Sequence, residues 1–377
     1  MARIEKIDCC VVRVPMDRPT SFSTRTVEAR EYGLVKARTT DGAEGIGYCY
    51  CGHKGGRLFA VAVQELLASV LLGQDANYTE MLWREMYAES LLHGRAGTVM
   101  RAISALDTAL WDCNAQRARL PLHKYLGAAY ERAIPAYASG GYYFRDKTPD
   151  DLAEEVRRYV DMGFRAVKIK VARESLAVEE KRIRKCREAI GPNILLMLDA
   201  NNAWSDLQTA LDFAKRVEQY DPYFLEEPFG PDDMNNHVRL AQATSIPIAT
   251  GEILAGRWQF GELLAKNGAA IIQPDAGVCG GITEFRRIAA IAAGYGVQVF
   301  AHWLHHLHVH VLASCPNAGL VEFFPDDQIY NFGKIVDRQV QHEDGCLLLS
   351  EEPGLGFRFG EERIKQWSTV PWITISS

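Results

Sequence analysis

The sequence predicts an α/β protein in which a closed barrel of eight parallel strands follows a smaller α+β domain. Two observations lead to this prediction. From residue 134 onward, eight short apolar runs alternate with amphipathic helical stretches, and repeats of this kind and number close into a barrel. Before that point, segments of alternating polarity precede helical periods, which is the pattern of an antiparallel sheet packed against helices.

We expect the chain to fall into three parts. Residues 1–130 form the α+β domain, residues 131–325 form the barrel, and residues 326–377 form a tail that packs back on the first domain. Within the first part, residues 17–31 are polar and residues 49–57 are rich in glycine. Both stretches are predicted to be loops that cover a site.

The barrel strands are predicted from short apolar runs, and several helix starts are signalled between them. Thr148 precedes Pro149 and two acidic residues, which predicts a helix N-terminus there. Ser205 and Gln208 have the spacing of a capping box. The predicted strands are 135–139, 166–171, 195–199, 223–225, 247–250, 271–273, 297–300 and 319–321.

Composition excludes several classes of protein. The net charge is -6 without a basic run, which argues against a nucleic-acid partner, and no apolar run is long enough to span a membrane. The nine cysteines are irregularly spaced and the start at Met1 lacks a signal peptide, which predicts reduced thiols in the cytoplasm. Any anionic substrate must therefore be attracted locally by lysine, arginine or a metal ion.

Lys168 and Lys170 lie two residues apart on the second predicted barrel strand, so their side chains project from the same face. Desolvation and mutual repulsion would both favour the neutral amine and lower the lysine pKa, which is how a lysine becomes a base. The alternative is a pair of surface lysines at a strand end, because lysine is mostly exposed in proteins.

Seven consecutive barrel strands each end in an ionisable residue. In barrels of this kind, catalytic groups stand at the C-terminal ends of the strands. Any single residue of the series could be a solvated or ion-paired group, but the whole series favours a catalytic site. The residues in strand order are Lys168 and Lys170, Asp199, Glu226, Glu252, Asp275, His302 and Glu322.

Three carboxylates at adjacent strand ends predict a metal site. Asp199, Glu226 and Glu252 would supply three oxygen ligands that converge on one point. Oxygen ligands of this kind suit Mg²⁺, whereas zinc would be expected to have nitrogen or sulfur ligands. The sequence therefore predicts Mg²⁺ as the cofactor and no organic cofactor.

Two bases are predicted to flank this metal. Lys170 lies on one side of the barrel mouth and His302 on the other, with Asp275 placed to hold the imidazole tautomer. The arrangement suits removal of a proton α to a carboxylate, because a metal ion can stabilise the resulting enediolate. Glu322, if burial keeps it protonated, would donate a hydrogen bond to that intermediate.

The order of these motifs resembles the enolase superfamily, specifically its mandelate racemase subgroup. The resemblance rests on a KxK motif (168–170), Asp199, Glu226-Glu227-Pro228, Gly251-Glu252, Pro274-Asp275, His302 and Glu322. It implies a modified TIM barrel, (β/α)7β, with an N-terminal α+β capping domain that the C-terminal tail completes. It also implies that Lys168 binds the substrate carboxylate and tunes Lys170, that Glu322 is the electrophile, and that specificity lies in capping-domain loops.

Candidate substrate contacts lie near the expected mouth. Arg25, Lys54 and Arg57 belong to the predicted covering loops, where one of them would contact a hydroxyl or a second carboxylate of the substrate; the alternative is solvated charge. Asn201, shortly after the third strand, is a further candidate. His306 and His310 have a spacing that occurs in zinc sites, but we interpret the histidines after His302 as packing or supporting residues.

The leading hypothesis for function is a Mg²⁺-dependent dehydratase of a sugar acid, aldonic or aldaric, that forms a 2-keto-3-deoxy acid. The alternative is a racemase or epimerase that uses the Lys170 and His302 pair on one carbon. A cycloisomerase is less favoured, because that related subgroup has a second lysine where this chain has His302. A non-enzymatic scaffold is the remote alternative. The expected partners are a small-molecule carboxylate and further copies of the chain, without nucleic acid or membrane.

Overall fold

The first part of the chain forms an antiparallel sheet with helices packed on it. The structure, a computed structural model, describes residues 2–326 and 328–376, so the domain limits predicted at residues 1 and 377 lie outside the described residues. The elements are β1 (Ile4–Phe22), β2 (Arg25–Thr39), β3 (Glu44–Tyr50), α1 (Gly56–Val61), α2 (Ala68–Leu71), α3 (Thr79–Ser90), α4 (Thr98–Ala118) and α5 (Leu122–Tyr125), with Ala62–Leu67 π-helical.

The predicted loop over residues 17–31 is wrong. This stretch is a β-hairpin, in which Phe22 pairs with Arg25 and Ser21 pairs with Thr26 across a tight turn. Val27 and Ala29 are buried on one face, so buried and exposed side chains do alternate along this stretch. Its many polar residues hide that alternation in the sequence. The second predicted loop, 49–57, is shorter than expected, because β3 continues to Tyr50 and α1 begins at Gly56.

Eight parallel strands close into the predicted (β/α)7β barrel. The last strand pairs with the first, with Val321 opposite Ala136, so the sheet has no free edge between them. The strands are β4 (Ala133–Gly140), β5 (Ala166–Lys170), β6 (Leu195–Asp199), β7 (Pro222–Glu226), β8 (Ile248–Thr250), β9 (Ile271–Ile272), β10 (Gln298–Ala301) and β11 (Ala318–Phe323). The helices between them are α6 (Pro149–Asp161), α7 (Leu176–Ile190), α8 (Leu207–Val217), α9 (Met234–Ala243), α10 (Gly256–Ala265), α11 (Gly281–Gly294) and α12 (His305–Ala313).

One of the two predicted helix caps is confirmed. The Thr148 side chain accepts from the Asp151 amide at 3.2 Å, and the Asp151 carboxylate accepts from the Thr148 amide at 2.8 Å, which completes a capping box. The second prediction is wrong by one residue. Asp206 rather than Ser205 caps α8, because its carboxylate accepts from the Thr209 amide at 2.8 Å.

The barrel interior is apolar at its base and ionisable at its mouth. The inward-facing base layer comprises Tyr137, Ala166, Met197, Phe224, Ala249, Ile271 and Phe300. Because side chains alternate along a strand, Lys168 and Lys170 share the inward face of Ala166 on β5. The packed base therefore directs the two lysines toward the mouth.

The tail contacts both parts of the molecule. It forms β12 (His342–Glu343), β13 (Cys346–Leu348), α13 (Glu361–Trp367) and β14 (Ser368–Ser376). β14 pairs with β1 and completes the capping sheet, as expected. β13 pairs instead with β4, so the tail also extends the barrel sheet. No helix of residues 2–326 or 328–376 combines the length and the apolar character that a membrane crossing requires.

The capping domain is fixed on the barrel by α4 and the start of α11. Asp107 accepts hydrogen bonds from the Thr283 amide and hydroxyl, at 2.9 and 2.6 Å. The indoles of Trp83 and Trp111 donate to the Gly280 carbonyl and the Thr283 hydroxyl. These buried contacts hold the capping sheet above the barrel mouth.

Gly47→Ala is expected to destabilise the fold strongly. A Cβ at Gly47 would lie 1.9 Å from the Ala105 carbonyl oxygen and 2.8 Å from the Ala109 nitrogen, both backbone atoms of α4. Since a backbone cannot yield as a side chain does, we expect a loss of about 3 kcal/mol or more. The control is Gly261→Ala in α10, where no atom lies within 4 Å, and which should gain about 0.5–1 kcal/mol. Equal urea midpoints for the two variants would contradict the assignment.

Candidate active site

The strand-end residues predicted from the sequence gather at the barrel mouth. Most are fully buried, whereas Glu252 and His302 keep 12% and 15% of their side-chain surface exposed. The neighbouring strands are in register here, because Lys170 pairs with Asp199 and Asp199 pairs with Glu226. The interacting residues are Lys168, Lys170, Asp199, Glu226, Glu252, Asp275, His302 and Glu322.

Asp199, Glu226 and Glu252 are close enough to share one cation. One carboxylate oxygen from each residue lies within 4.8 Å of the others. Oε2 of Glu252 is buried without a hydrogen bond, and His302 Nε2 lies 3.3 Å from it. A cluster of carboxylate oxygens with an unsatisfied buried atom fits a hard divalent cation such as Mg²⁺.

The two lysines are ion-paired rather than crowded against each other. Nζ of Lys168 donates to both oxygens of Glu226, at 2.7 and 2.8 Å, and lies 2.8 Å from Oε1 of Glu322. Nζ of Lys170 donates to Asp199. Burial opposes the charged amines, but these carboxylates outweigh it and raise the pKa of both lysines. The sequence-based expectation of a lowered pKa is therefore wrong for the ion-paired state.

His302 and Asp275 form the predicted contact. Nδ1 of His302 lies 3.0 Å from Oδ2 of Asp275, whose other oxygen accepts from the Gly277 amide at 2.7 Å. Burial opposes the imidazolium, but Glu252 and Asp275 together raise the pKa of His302 to about 9. In the metal-free protein, His302 is therefore protonated at neutral pH, and its Nε2 is directed toward the carboxylate cluster.

Glu322 is not the protonated donor expected from its burial. Its Oε1 lies 2.8 Å from Nζ of Lys168, and its Oε2 accepts from the Trp303 amide at 2.7 Å. Burial raises the pKa of Glu322, but the nearby charges of Lys168, His302 and Lys170 together outweigh burial and lower the pKa to about 2. The residue is an anion that holds Lys168 and the backbone after His302 in place.

Asn201 lies at the site, as predicted. The backbone amide of Asn201 donates to Oδ1 of Asp199 at 2.9 Å. The side-chain oxygen of Asn201 is buried without a hydrogen-bond partner. Three non-glycine residues beside strand ends, Asn201, Glu227 and Trp303, have φ values of 43°, 41° and 66°. Left-handed backbone of this kind often concentrates at functional sites. The side-chain oxygen of Asn201 is therefore an unused hydrogen-bond acceptor beside the carboxylate cluster.

The structure does not bring the predicted covering-loop cations to the strand ends. Arg25, Lys54 and Arg57 are exposed, and in the described part of the chain none of them forms an ion pair with a strand-end residue. The hairpin tip itself does reach the mouth, because the Ser23 hydroxyl donates to the Ala200 carbonyl at 2.5 Å. The Phe22 ring lies 6.0 Å from Nζ of Lys170.

Two residues at the site were missed in the sequence. The Gln273 side chain donates to Oε2 of Glu226 at 2.7 Å, and period-two alternation back from Asp275 would have found it. Arg30 is buried beside Trp303, but its polar neighbours in residues 17–31 favour a loop, so the sequence does not single it out.

The histidines of α12 are packing and supporting residues, as interpreted. His308 Nε2 accepts from the Ala276 amide at 2.9 Å, and His310 Nε2 donates to the Leu355 carbonyl at 3.1 Å. Burial lowers the pKa of His306 and His308 to about 4 and that of His310 to about 3. Over residues 2–326 and 328–376, the carboxylate cluster is the only group of three or more metal-ligating side chains within reach of one ion.

His306→Phe is expected to reduce the acid sensitivity of the fold. The ring packs against Tyr330, Phe332 and Phe357, a site that suits phenylalanine. Since the folded pKa lies below the unfolded value, stability is full above about pH 6.5 and falls as the pH drops toward 4. Between pH 7 and 5, the variant should gain about 2 kcal/mol relative to wild type.

Urea unfolding at pH 7 and pH 5 gives the stability of the variant and of wild type. Groups that titrate alike in both proteins cancel when the two pH-dependent changes in stability are subtracted. Exposed His93, replaced in the same way by phenylalanine, is the control and should show no such change. A pH-independent difference between wild type and His306→Phe would contradict the buried, neutral state of His306.

The fold and the site together define a metal-dependent enzyme of the enolase type. Residues 6–127 match the mandelate racemase / muconate lactonizing enzyme N-terminal domain, and residues 151–363 match the enolase C-terminal domain-like family. The chain belongs to the enolase superfamily, in its mandelate racemase subgroup. The resemblance predicted from the strand-end motifs is thereby confirmed.

Similar proteins act on sugar acids or bind magnesium, according to their names. The chain is 33% identical to 3,6-anhydro-alpha-L-galactonate cycloisomerase of Streptomyces coelicolor, over 96% of this chain and 98% of that protein. It is 32% identical to L-talarate/galactarate dehydratase of Salmonella typhimurium, over 98% and 92%. A crystal structure of a racemase from Streptomyces coelicolor with bound magnesium superposes with a TM-score of 0.91 at 32% identity, covering 97% and 100%.

Proposed function

We propose that the chain is a Mg²⁺-dependent dehydratase that converts an aldonic or aldaric acid to a 2-keto-3-deoxy acid. One observation carries the proposal: two acid/base groups meet one carboxylate cluster, with Lys170 in contact with Asp199 and His302 Nε2 3.3 Å from Glu252. Such groups can remove the C2 proton and protonate the leaving hydroxyl. A relative named as a sugar-acid dehydratase supports the reaction class, and a similar structure with bound magnesium supports the metal.

Each residue has a defined task in this reaction. In the metal-free protein, and despite burial, Asp199 and Glu252 raise the pKa of Lys170 and His302. A cation held by these carboxylates would offset that charge and favour the neutral base. Lys170 or His302, as the neutral base, then removes the C2 proton, and the electron pair moves onto the carboxylate to form an enediolate. Mg²⁺ held by Asp199, Glu226 and Glu252 would supply the positive charge that stabilises this dianion. The bond from C3 to its hydroxyl then breaks, and His302 gives a proton to the leaving oxygen so that water departs. The resulting enol tautomerises to the keto acid.

The remaining polar residues are proposed to position these groups. Asp275 holds the His302 tautomer through their 3.0 Å contact. Lys168 binds the substrate carboxylate next to the metal ligands, and Glu322 fixes Lys168 from the other side. Asn201 offers its unpaired oxygen to a substrate hydroxyl.

The second candidate is a racemase or epimerase. The same two bases would then act on opposite faces of one carbon, and the similar racemase structure favours this alternative. The absence of a second lysine does not exclude a cycloisomerase either, because a relative with 33% identity is named as one. The non-enzymatic scaffold would require that the cluster bind no Mg²⁺.

The test is a screen of aldonic and aldaric acids with Mg²⁺ in D₂O. A ketoacid assay detects dehydration, whereas polarimetry and proton NMR detect epimerisation and ring formation. Formation of a 2-keto-3-deoxy acid that EDTA abolishes is the expected result. Inversion or cyclisation without formation of a ketoacid would show that the protein is an isomerase. If the protein binds no metal, the non-enzymatic scaffold is the remaining hypothesis.

Compartment and assembly are also part of the proposal. All nine cysteines are free, which supports a reducing compartment such as the cytoplasm. Several large apolar side chains are exposed, including Leu58, Leu91 and Trp258, and Leu92 is 94% exposed. Exposed apolar surface of this kind supports a homo-oligomer, which light scattering would detect.

A further inference from the structure

Arg30 on β2 is a buried cation without an anionic partner. It is 2% exposed, and it is one of two buried arginines in the described part of the chain. The other, Arg182, pairs with Glu179 at 2.6 Å. Among residues 2–326 and 328–376, no carboxylate lies within ion-pair distance of Arg30. A buried charge of this kind is costly until a counterion joins it.

The guanidinium of Arg30 keeps part of its hydrogen-bonding capacity free. Nη1 donates to the Ile329 carbonyl and contacts Sδ of Met16 at 3.0 Å. Within the described residues, Nε and Nη2 donate to no protein atom. These two groups form the edge of the guanidinium that binds a carboxylate through two parallel hydrogen bonds.

Arg30 lies near residues of the loops that follow β10 and β4. Its guanidinium carbon is 4.5 Å from the ring centroid of Trp303, the residue after His302. Tyr142, whose ring centroid lies 5.2 Å from Nζ of Lys170, is near enough to Arg30 for the two charges to interact with its hydroxyl. The charges of Lys170 and Arg30 both act on the Tyr142 hydroxyl and oppose the rise in its pKa that burial causes.

The tip of the hairpin that carries Arg30 is fastened to the barrel. The Ser23 hydroxyl donates to the Ala200 carbonyl, and Arg173 donates to the Phe22 carbonyl at 2.7 Å. Arg30 also sits in a regular ladder position opposite Val14. The cation is therefore held in place before a ligand arrives, which reduces the ordering cost of binding.

We propose that Arg30 binds a second carboxylate at the far end of the substrate, so that the site selects aldaric acids over aldonic acids. The inference rests on the proposed function. One carboxylate of the diacid lies at the metal ligands and Lys168, C2 lies between Lys170 and His302, and the distal carboxylate completes the ion pair of Arg30. Arg30 takes the role that the sequence assigned to Arg25, Lys54 or Arg57.

The experiment compares hexaric acids with the hexonic acids of matching configuration, using the Mg²⁺-loaded protein. For wild type, kcat/KM for the best hexaric acid should be at least about 30-fold higher than kcat/KM for the matching hexonic acid. Arg30→Met should lower the hexaric value about 100-fold and leave the hexonic value within about threefold, while Arg30→Lys should retain part of the preference.

The matched control is Arg187→Met. Arg187 also donates to backbone carbonyls, of Tyr220, Gly191 and Ile194, but these lie at the opposite end of the barrel. This variant should leave the ratio of hexaric to hexonic kcat/KM unchanged. If Arg30→Met does not fold, wild type and Arg30→Lys still decide the question through that ratio.

Each outcome separates this inference from the proposed function. If only aldonic acids are dehydrated, or if Arg30→Met lowers both values equally, the inference is overturned and the dehydratase stands. If no acid reacts, the proposed dehydratase function is wrong. Calorimetry with galactarate and galactonate then tests whether Arg30 binds a second carboxylate. Tighter galactarate binding that Arg30→Met abolishes would support the inference, and equal binding of the two acids would overturn it.

Discussion

Lys170→Ala and His302→Asn are each expected to lower kcat for the sugar acid by a factor of about 10³ or more. Each residue is proposed to carry a proton at a separate step, and positioned acid/base groups typically contribute about 10²–10⁴. Neither side chain is one of the three clustered carboxylates, so Mg²⁺ affinity measured by calorimetry should change far less than turnover. The two variants therefore separate proton transfer from metal binding.

Hydrogen exchange at C2 in D₂O then assigns the base. A variant that lacks only the acid should still exchange the C2 proton without net reaction, whereas a variant that lacks the base should not. Lys266→Ala and His93→Asn remove the same residue types at the surface and should stay within about twofold of wild type. Turnover of one acid at the same rate by Lys170→Ala, His302→Asn and wild type would show that the two-base assignment is wrong.

Glu226→Gln and Glu252→Gln are expected to weaken Mg²⁺ binding to a similar extent but to differ in stability. Each variant removes one negative charge and one oxygen ligand from the carboxylate cluster, so affinity should fall about 100-fold or more. In the metal-free protein, the Glu226 carboxylate also accepts hydrogen bonds from the side chains of Lys168 and Gln273. Glutamine keeps only one acceptor oxygen in place of two, so Glu226→Gln leaves a buried donor of Lys168 or Gln273 without its partner and should be clearly less stable.

Glu252→Gln is the matched comparison, because Oε2 of Glu252 accepts no hydrogen bond and its side chain is partly exposed. Its stability in EDTA should stay within about 1 kcal/mol of wild type. Thermal unfolding with EDTA and calorimetry with Mg²⁺ provide the two measurements. Equal unfolding temperatures for the two variants would contradict a structural role for the bond between Lys168 and Glu226.

The barrel and its ring of ionisable residues were predictable because both follow from local pattern. Short apolar runs fix the strands, and a barrel brings the C-terminal ends of all its strands to one face. Asp199, Glu226 and Glu252 therefore had to converge once eight strands were counted. Alternation likewise placed Lys168 and Lys170 on one face without knowledge of their contacts.

The protonation states were not predictable, since they depend on contacts between strands. Lys168 and Glu322 are both buried, and burial alone raises the pKa of an acid and lowers that of a base. Charges from neighbouring strands reverse both effects, because Glu226 and Glu322 raise the pKa of Lys168, and Lys168 with His302 and Lys170 lowers that of Glu322. The hairpin around Arg30 was missed for a similar reason, because its polar residues are stabilised by contacts with distant parts of the chain, such as Ile329.

The pairing of β14 with β1 has a consequence for synthesis on the ribosome. β1 is made before the barrel, but the strand beside it, with Lys6 opposite Ser376, is made after the barrel. The barrel closes at β11, so it can complete its sheet while one edge of β1 still lacks its partner. An unpaired strand edge can join other chains. The capping sheet over the mouth is therefore complete only after residues 368–376 have left the ribosome.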